Sequence, residues 1–340
     1  MIISRTPFRA SFFGGGTDYP AWYQDHGGAV LTATINYYCY ITCRFLPQFF
    51  DHKSRIVWSK VEQVSENREI QHPVVRAALE HMDIEQGVEI HHDGDLPARS
   101  GLGSSSAFTV GIVLVLNALK GRMISKSELA RQAIFIEQNI LNEPVGVQDQ
   151  IQTSFGGLNK IVIRPDHSFV VEPLILSDDK ATELQDHLLL FFTGVARTAA
   201  EVAKEKIAAI PQKQDELHQM HAMVDEALST LTSGRDILEF GRLLHESWML
   251  KRSIASAIAP SFVDNIYDLA RNAGAVGGKL LGAGGGGFLM VFAPPERHAS
   301  IIEALNNFLF VPFKFDYGGS QIIFYEQDKT APGISTESDK

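Results

Sequence analysis

Four short segments carry residue types that could do chemistry together. The most specific is Pro97-Ala-Arg-Ser-Gly101-Leu102-Gly103-Ser104-Ser105-Ser106-Ala107, which runs directly into an apolar stretch. Glycines let a backbone approach a phosphate closely, successive N–H groups point into such a loop, and a helix N-terminus adds partial positive charge. The segment therefore reads as an anion cradle, in which Gly103 leaves space for a phosphate. No Gly-Lys-Ser/Thr follows, so it is not a Walker A loop, and the three hydroxyls must make the contacts that a lysine would otherwise share. The alternative is a glycine loop whose serines merely cap the helix.

A second glycine run, Gly282-Ala-Gly284-Gly285-Gly286-Gly287, lies between two apolar strand-like runs. Such a run is costly to order and useful mainly where something must approach the backbone, although a flexible hairpin reads the same way. The third segment, Pro7-Phe-Arg9-Ala-Ser-Phe-Phe-Gly14-Gly15-Gly16-Thr17-Asp18-Tyr19, ends an apolar strand in glycines and then presents a hydroxyl and a carboxylate. Short acceptors on rigid backbone suit a polyhydroxylated ligand, and an Asp18 that only closes a turn before Pro20 fits the local pattern equally. The fourth feature is a carboxylate pair, Glu137 on a helix and Asp149 just after that helix ends. Beside a phosphate cradle one carboxylate can hold Mg²⁺ while the other orients or deprotonates a hydroxyl. A solvated helix Glu and a turn Asp remain the plain alternative.

The elements that must position these segments follow from periodicity and turn residues. Residues 29–35 and 38–45 are rich in β-branched and aromatic side chains and open the fold with a sheet. A short helix is expected over 73–82, a strand over 88–92, and an apolar helix over 104–119 that starts at the glycine loop. Ser125 and Glu128 have capping-box spacing and start a helix that ends before Pro144. Residues 156–171 return to strand, and the polar stretch 177–184 reads as a domain boundary. Beyond it, helices over 198–207, 214–231, 237–254, 260–272 and 296–309 alternate with strands over 188–192, 276–281, 288–292, 314–316 and 321–325. Helices on one side of an antiparallel sheet make this half α+β. The expected division is residues 1–180, residues 181–328, and a polar, disordered tail over 329–340.

Three hundred and forty residues exceed what one hydrophobic core usually serves, which agrees with two domains. A 45% hydrophobic and 21% charged composition excludes disorder for most of the chain. Thirty Lys and Arg against forty Asp and Glu give a net charge of −10 with no basic cluster, which argues against nucleic-acid or membrane-surface partners. Cys39 and Cys43 share a strand face but lie too far apart to bridge, so they read as core residues in a reducing compartment. The N-terminus lacks a signal-peptide pattern and no stretch is long enough to span a bilayer, so a cytoplasmic location without membrane insertion is expected. His52, His72, His91 and His92 lack a convincing set of Cys or carboxylate partners for zinc.

Taken together, the four segments resemble the GHMP kinases, the group of galactokinase, homoserine, mevalonate and phosphomevalonate kinases. Pro97 to Ala107 is similar to that family's nucleotide loop, and Gly282 to Gly287 to its C-terminal glycine motif. Pro7, Arg9 and Thr17-Asp18-Tyr19 match the spacing of the galactokinase N-terminal signature, although Gly15-Gly16 stands where that signature has Glu-His. Within the family, Phe12 to Pro20, Ile90 to Ser106 and Val147 to Gln150 resemble the D-glycero-D-manno-heptose 7-phosphate kinases of bacterial surface-polysaccharide pathways.

The resemblance implies an α+β, two-domain fold, with an N-terminal ribosomal-S5-domain-2-like α/β domain and a C-terminal ferredoxin-like α+β domain. It implies ATP and Mg²⁺, a small sugar phosphate as acceptor, and a monomer or homodimer. It implies that Asp149 accepts or orients the proton of a sugar hydroxyl, and that Arg9 keeps Asp149 ionised. Pro97 and Gly101 to Ser106 would bind nucleotide, and Glu137 with Ser105 or Ser106 would ligate Mg²⁺. Gly15, Gly16, Thr17 and Asp18 would bind substrate with Gly284, Gly285 and Gly286. Arg5, Lys53, Arg55 and Arg197 are candidates to clamp a phosphate on the acceptor, because Lys and Arg are the phosphate-binding cations. An unphosphorylated sugar such as fucose or galactose is the alternative acceptor, and a non-catalytic binding protein of the same fold is a further reading.

Overall fold

The computed structural model of the protein describes residues 1–98, 100–194 and 199–326, without the side chains of 199–201. Arg197 and the expected tail over 329–340 lie outside these residues. The first half runs β1 (Ile2–Phe13), α1 (Pro20–His26), β2 (Gly28–Phe45), β3 (Ser54–Val57), β4 (Val61–Val64), α2 (Pro73–His81), β5 (Val88–Gly94) and α3 (Ser104–Leu119). It continues through α4 (Lys126–Phe135), a π-helical turn over Ile136–Ile140, α5 (Gln148–Phe155), β6 (Leu158–Ile163), β7 (Phe169–Pro173) and α6 (Asp178–Asp186). The second half runs β8 (Leu188–Phe192), α7 (Ala199–Ala209), α8 (Gln214–Thr232), α9 (Ile237–Ile254), α10 (Ser261–Asn272), β9 (Gly277–Leu280) and β10 (Phe288–Phe292). The last elements are α11 (His298–Ala304), β11 (Leu309–Phe310), β12 (Phe315–Asp316) and β13 (Gln321–Tyr325).

Among the described residues two sheets form. The larger has the order β13-β1-β2-β5-β3-β4, with β6 and β12 on β2 and β7 on β6; the smaller is the antiparallel β11-β8-β10-β9. Strand β2 is the spine of the larger sheet. Gly28 to Ala33 pair with β6, Cys39 to Phe45 with β5, and Leu31 to Cys43 lie along β1. Its wealth of Val, Ile, Thr and Tyr suits a long strand covered on both faces. Along β1, Phe8, Ala10 and Phe12 enter the core while Arg9 and Ser11 turn the other way, the period-2 alternation of a strand. Helix α3 packs on β1 and β2, and its buried residues surround it because it lies inside the domain.

The expected α+β character is present, and helix α3 has the expected bounds. Four features differ from the sequence reading. Residues 178–186 form helix α6, capped by Ser177 Oγ accepting from Lys180 N at 3.2 Å, where the polar composition suggested a boundary. Residues 148–155 form α5, so Asp149 sits in the first turn of a helix. The last long helix is only His298–Ala304, because Leu309 and Phe310 leave it to pair with β8. Strands β12 and β13 return to β2 and β1, so the chain's end completes the first sheet although the sequence order groups it with the second half.

The two halves share buried residues. Phe240 on α9 is fully buried and meets Phe12 and Phe13 of β1 edge-on at 5.8 and 5.1 Å. Across the same boundary, Lys279 Nζ on β9 donates to Phe12 O at 2.6 Å. Phe240→Ala is expected to cost about 3–5 kcal/mol, as large aromatic truncations in cores do. Urea and thermal melts monitored by circular dichroism check this, and an unchanged midpoint contradicts it.

Candidate active site

Arg9, on β1, is buried and nearly all of its donors are directed. Its Nε and Nη2 donate to Asp149 Oδ1 and Oδ2, each at 2.7 Å, and its Nη1 donates to Gly101 O at 2.6 Å. One guanidinium thus ties the strand, the first turn of α5 and the glycine loop ahead of α3. A two-point fork of this kind fixes the carboxylate in orientation as well as place. Asp149 also accepts from Gln148 Nε2 at 3.3 Å, and Gln148 is held by Ser11 Oγ at 2.9 Å. The N-terminal end of α5 adds its partial positive charge beneath the carboxylate.

Helix α3 begins at Gly103, which takes the left-handed conformation at φ 74°. A Cβ there would lie 3.1 Å from Arg9 Cγ and 3.3 Å from Asp149 Oδ2, so a side chain at 103 collides with the pair itself. Gly103 also lines the cleft, where it was expected to leave room for a phosphate. The three serines that follow are not equivalent. Ser106 is buried and donates to Glu137 Oε2 at 3.0 Å, whereas Ser105 is exposed. Glu137 belongs to the π-helical turn, a local widening that recurs at functional sites. It is almost fully buried, Gln150 Nε2 also donates to its Oε2, and its Oε1 has no partner. Burial pushes its carboxyl up to about 7, with Thr109, Gln150 and Ser106 opposing the rise and the nearby Glu143 charge adding to it. An unpartnered buried carboxylate oxygen beside a hydroxyl is a donor set that a hard divalent cation fits.

Arg9, Asp149 and the start of α3 face one cleft of about 340 Å³, and Glu137 stands outside its lining, joined to it through Ser106. Gly15, Gly16, Asp18, Gly101, Gly103, the three serines and Asp149 all line it. Asp18 Oδ1 accepts from Gly16 N at 2.8 Å, and Asp18 O accepts from Val147 N at 3.0 Å. Other expected site residues do not face the cleft. Thr17 is fully buried, and its hydroxyl bonds Gly14 O and Ala29 O, so it closes the turn rather than meeting a ligand. Pro97 is exposed and Leu102 lies in the core.

The second glycine run contributes Gly282 and Ala283 to the cleft. Gly284 to Gly286 were expected there and lie elsewhere: Gly284 packs on the Ile258 backbone, and Gly285 N donates to Ile258 O at 3.0 Å. The run is without side chains because two backbones cross. A Cβ on Gly282 would stand 2.5 Å from Gly101 Cα, and one on Gly287 would stand 2.2 Å from Ser100 O. The cations proposed for an acceptor phosphate are also absent from the lining. Arg5 lies over the Tyr38 ring at 4.6 Å, Arg55 pairs with Glu89 at 3.1 Å, and Lys53 is exposed beyond the cleft.

Sequence reasoning missed Tyr19, Gly146, Lys206 and Lys251, which all line the cleft. Lys251 Nζ, on α9, donates to Gly282 O at 2.7 Å and to Leu280 O at 3.3 Å, and burial pushes its pKa well below that of an ordinary lysine. The available signal was a lysine placed on the apolar face of an amphipathic helix. Gly146 had a signal of its own, as a glycine just ahead of a helix. Among the described residues no helix is long and apolar enough to cross a membrane.

Comparison with known proteins finds similarity over most of the chain. Models of the GHMP kinases N terminal domain and the GHMP kinases C terminal match residues 70–157 and 223–310. The D-glycero-alpha-D-manno-heptose 7-phosphate kinase of Campylobacter jejuni is 28% identical over 320 residues, 89% of this chain and 93% of that protein. The L-fucokinase/L-fucose-1-P guanylyltransferase of Bacteroides fragilis is 27% identical over 90% of this chain, which corresponds to 36% of that protein. The crystal structure of a D-glycero-D-manno-heptose 1-phosphate kinase from Bacteroides thetaiotaomicron superposes with a TM-score of 0.79. It is 26% identical, over 96% of this chain and 100% of that one.

The Asp18 corner offers a test of how tightly the cleft is built. A Cβ on Gly146 would lie 1.9 Å from Asp18 Oδ2, so Gly146→Ala must displace that carboxylate. The variant is expected to lose about 1–3 kcal/mol, in line with overpacking of a filled site. A melting temperature within about 1 °C of the wild type would contradict this packing.

Proposed function

The chain belongs to the GHMP kinase family, and from that membership we propose that it transfers the γ-phosphoryl group of ATP to the anomeric hydroxyl of D-glycero-D-manno-heptose 7-phosphate. The product would be a heptose 1,7-bisphosphate, for nucleotide-activated heptose and surface polysaccharide synthesis. The observation that carries the chemistry is the Arg9 fork on Asp149 beside the N-terminus of α3, with the Ser106–Glu137 contact in the same helix's first turn.

Asp149 is the group that would accept or orient the proton of the acceptor hydroxyl. Arg9 holds its carboxylate in one orientation through two hydrogen bonds. The backbone of 101–106 and the start of α3 would receive the phosphates. Ser106 and Glu137 would hold Mg²⁺, which when bound would offset phosphate charge. Asp18, presented by the Gly15-Gly16 turn, would take sugar hydroxyls. The protein's contribution is then positioning and charge stabilisation, the usual division of labour for a loose phosphoryl transfer.

The choice of acceptor rests on length as well as identity. The match to the heptose 7-phosphate kinase runs over nearly all of both chains, whereas the fucokinase match is to about a third of a longer protein. An unphosphorylated sugar is the second reading, because Arg5 and Arg55 are engaged away from the cleft. ADP release with Mg-ATP across heptose 7-phosphate, unphosphorylated heptose, fucose and galactose separates the two, with ³¹P NMR on the product. A new anomeric phosphate only from the 7-phosphate supports the proposal, and turnover of a free hexose overturns it.

Two variant series test the assignments. Asp149→Asn is expected to bind ATP normally and to lose about 100-fold or more in kcat; near-normal kcat removes Asp149 from the proton-accepting role. Ser106→Ala is expected to raise the Mg²⁺ concentration needed for half-maximal rate by about tenfold, while Ser105→Ala leaves it unchanged. The reverse pattern would move the metal contact to Ser105.

A further inference from the structure

Of the described residues that line the cleft, the cations are Arg9, Lys206 and Lys251. Two of these are committed elsewhere. Arg9 gives its fork to Asp149 and a third donor to Gly101 O, and Lys251 spends its ammonium on the carbonyls of Gly282 and Leu280. Lys206, carried by α7 from the second half of the chain, is 3% exposed and ion-pairs with no carboxylate among the described residues. Its ammonium lies 4.7 Å over the Tyr19 ring.

The place of that ammonium is specific. A Cβ on Gly16 would stand 3.2 Å from both Lys206 Cε and Nζ, so the glycine turn that presents Asp18 also leaves the corridor through which the lysine enters. Burial pulls its pKa below that of an ordinary lysine, and the charges of Asp18 and Asp149 oppose that fall. Lys206 therefore stands on the acceptor side of the cleft, near both the proton-accepting carboxylate and the carboxylate assigned to the sugar.

We propose that Lys206 is a catalytic residue of the transfer, the cation that meets the acceptor oxygen as it becomes the nucleophile. In the step, the acceptor O–H proton passes to a carboxylate oxygen of Asp149, and the freed oxygen pair forms the bond to the γ-phosphorus. The bond from the γ-phosphorus to the β,γ-bridging oxygen breaks, and its electron pair leaves on ADP. Lys206 keeps its own proton throughout and donates an N–H to the attacking oxygen, where charge develops. Preorganised donors aimed at developing charge in a water-poor cleft are among the most effective catalytic devices.

The inference rests on the kinase reading of the same cleft, so wild-type turnover is measured first. A wild-type chain inactive on every sugar of the panel removes that reading and this inference with it. With an active wild type, Lys206→Met is expected to lower kcat by about 100-fold or more. Its ATP affinity by calorimetry stays unchanged and its acceptor KM stays within about threefold. Lys206→Arg, which keeps the charge, is expected to recover at least about tenfold of the loss. If the methionine variant binds no nucleotide, Lys206→Gln is judged by the same criteria. A kcat within about threefold of wild type overturns the proposal, as does a raised acceptor KM with kcat held, which would make Lys206 a binding contact only.

Discussion

Arg9 is where the architecture and the chemistry meet. A guanidinium removed from water on a central strand must find acceptors for its donors, because a buried charge left unpaired costs about 3–5 kcal/mol. It finds them in both oxygens of Asp149 and in the carbonyl of Gly101. That single requirement fixes the start of α5, the turn of the glycine loop and hence the N-terminus of α3. The same contacts explain why position 103 is glycine, since a Cβ there would press on the pair. A pair of this kind is weak evidence for stability and strong evidence for orientation. Here the orientation is that of a carboxylate beside a helix N-terminus, inside a cleft.

The second half of the chain completes the cleft from the other side. Its glycine run crosses the first loop so closely that side chains are excluded at 101, 282 and 287. Lys279 reaches across to the Phe12 carbonyl, and Lys251 braces the carbonyl of Gly282. Burial lowers the pKa of both lysines, that of Lys279 to about 7, so their bonds are made at a cost that an apolar residue would avoid. Lys206 enters between these braces and the Asp18 turn. The cleft thus gathers Arg9, Lys206 and Lys251 beside Asp18 and Asp149, within a protein whose net charge is −10.

Much of this was legible in the sequence, for physical reasons that differ by element. The glycine-serine loop before an apolar run has one structural meaning, and helix α3 has the expected bounds. Arg9, Asp149, Glu137 and Asp18 were legible as residue types beside glycine turns, and the structure brings them to one cleft or its wall. The register of the three serines was not, because one residue rotates a helix by roughly 100° and only the position of Glu137 selects Ser106. Helix α6 was hidden by its polar composition, which suits a helix buried on one side at Leu184 alone. Gly284 to Gly286 lie outside the cleft lining, and a glycine made necessary by a crossing backbone, as at 282 and 287, has the same sequence signature as one that admits a ligand. Lys206 was illegible because its neighbours are Tyr19 and the Gly16 turn, some 190 residues away in sequence.

In the proposed transfer the phosphoryl group passes between the Arg9–Asp149 pair and the Ser106–Glu137 contact. The decisive measurement is a crystal structure of the protein with Mg²⁺, a non-hydrolysable ATP analogue and heptose 7-phosphate. The expected result is the metal on Ser106 and Glu137, the phosphates along residues 101–106, and the anomeric oxygen against Asp149. A nucleotide bound away from the start of α3, or an acceptor whose anomeric oxygen faces away from Asp149, would contradict it.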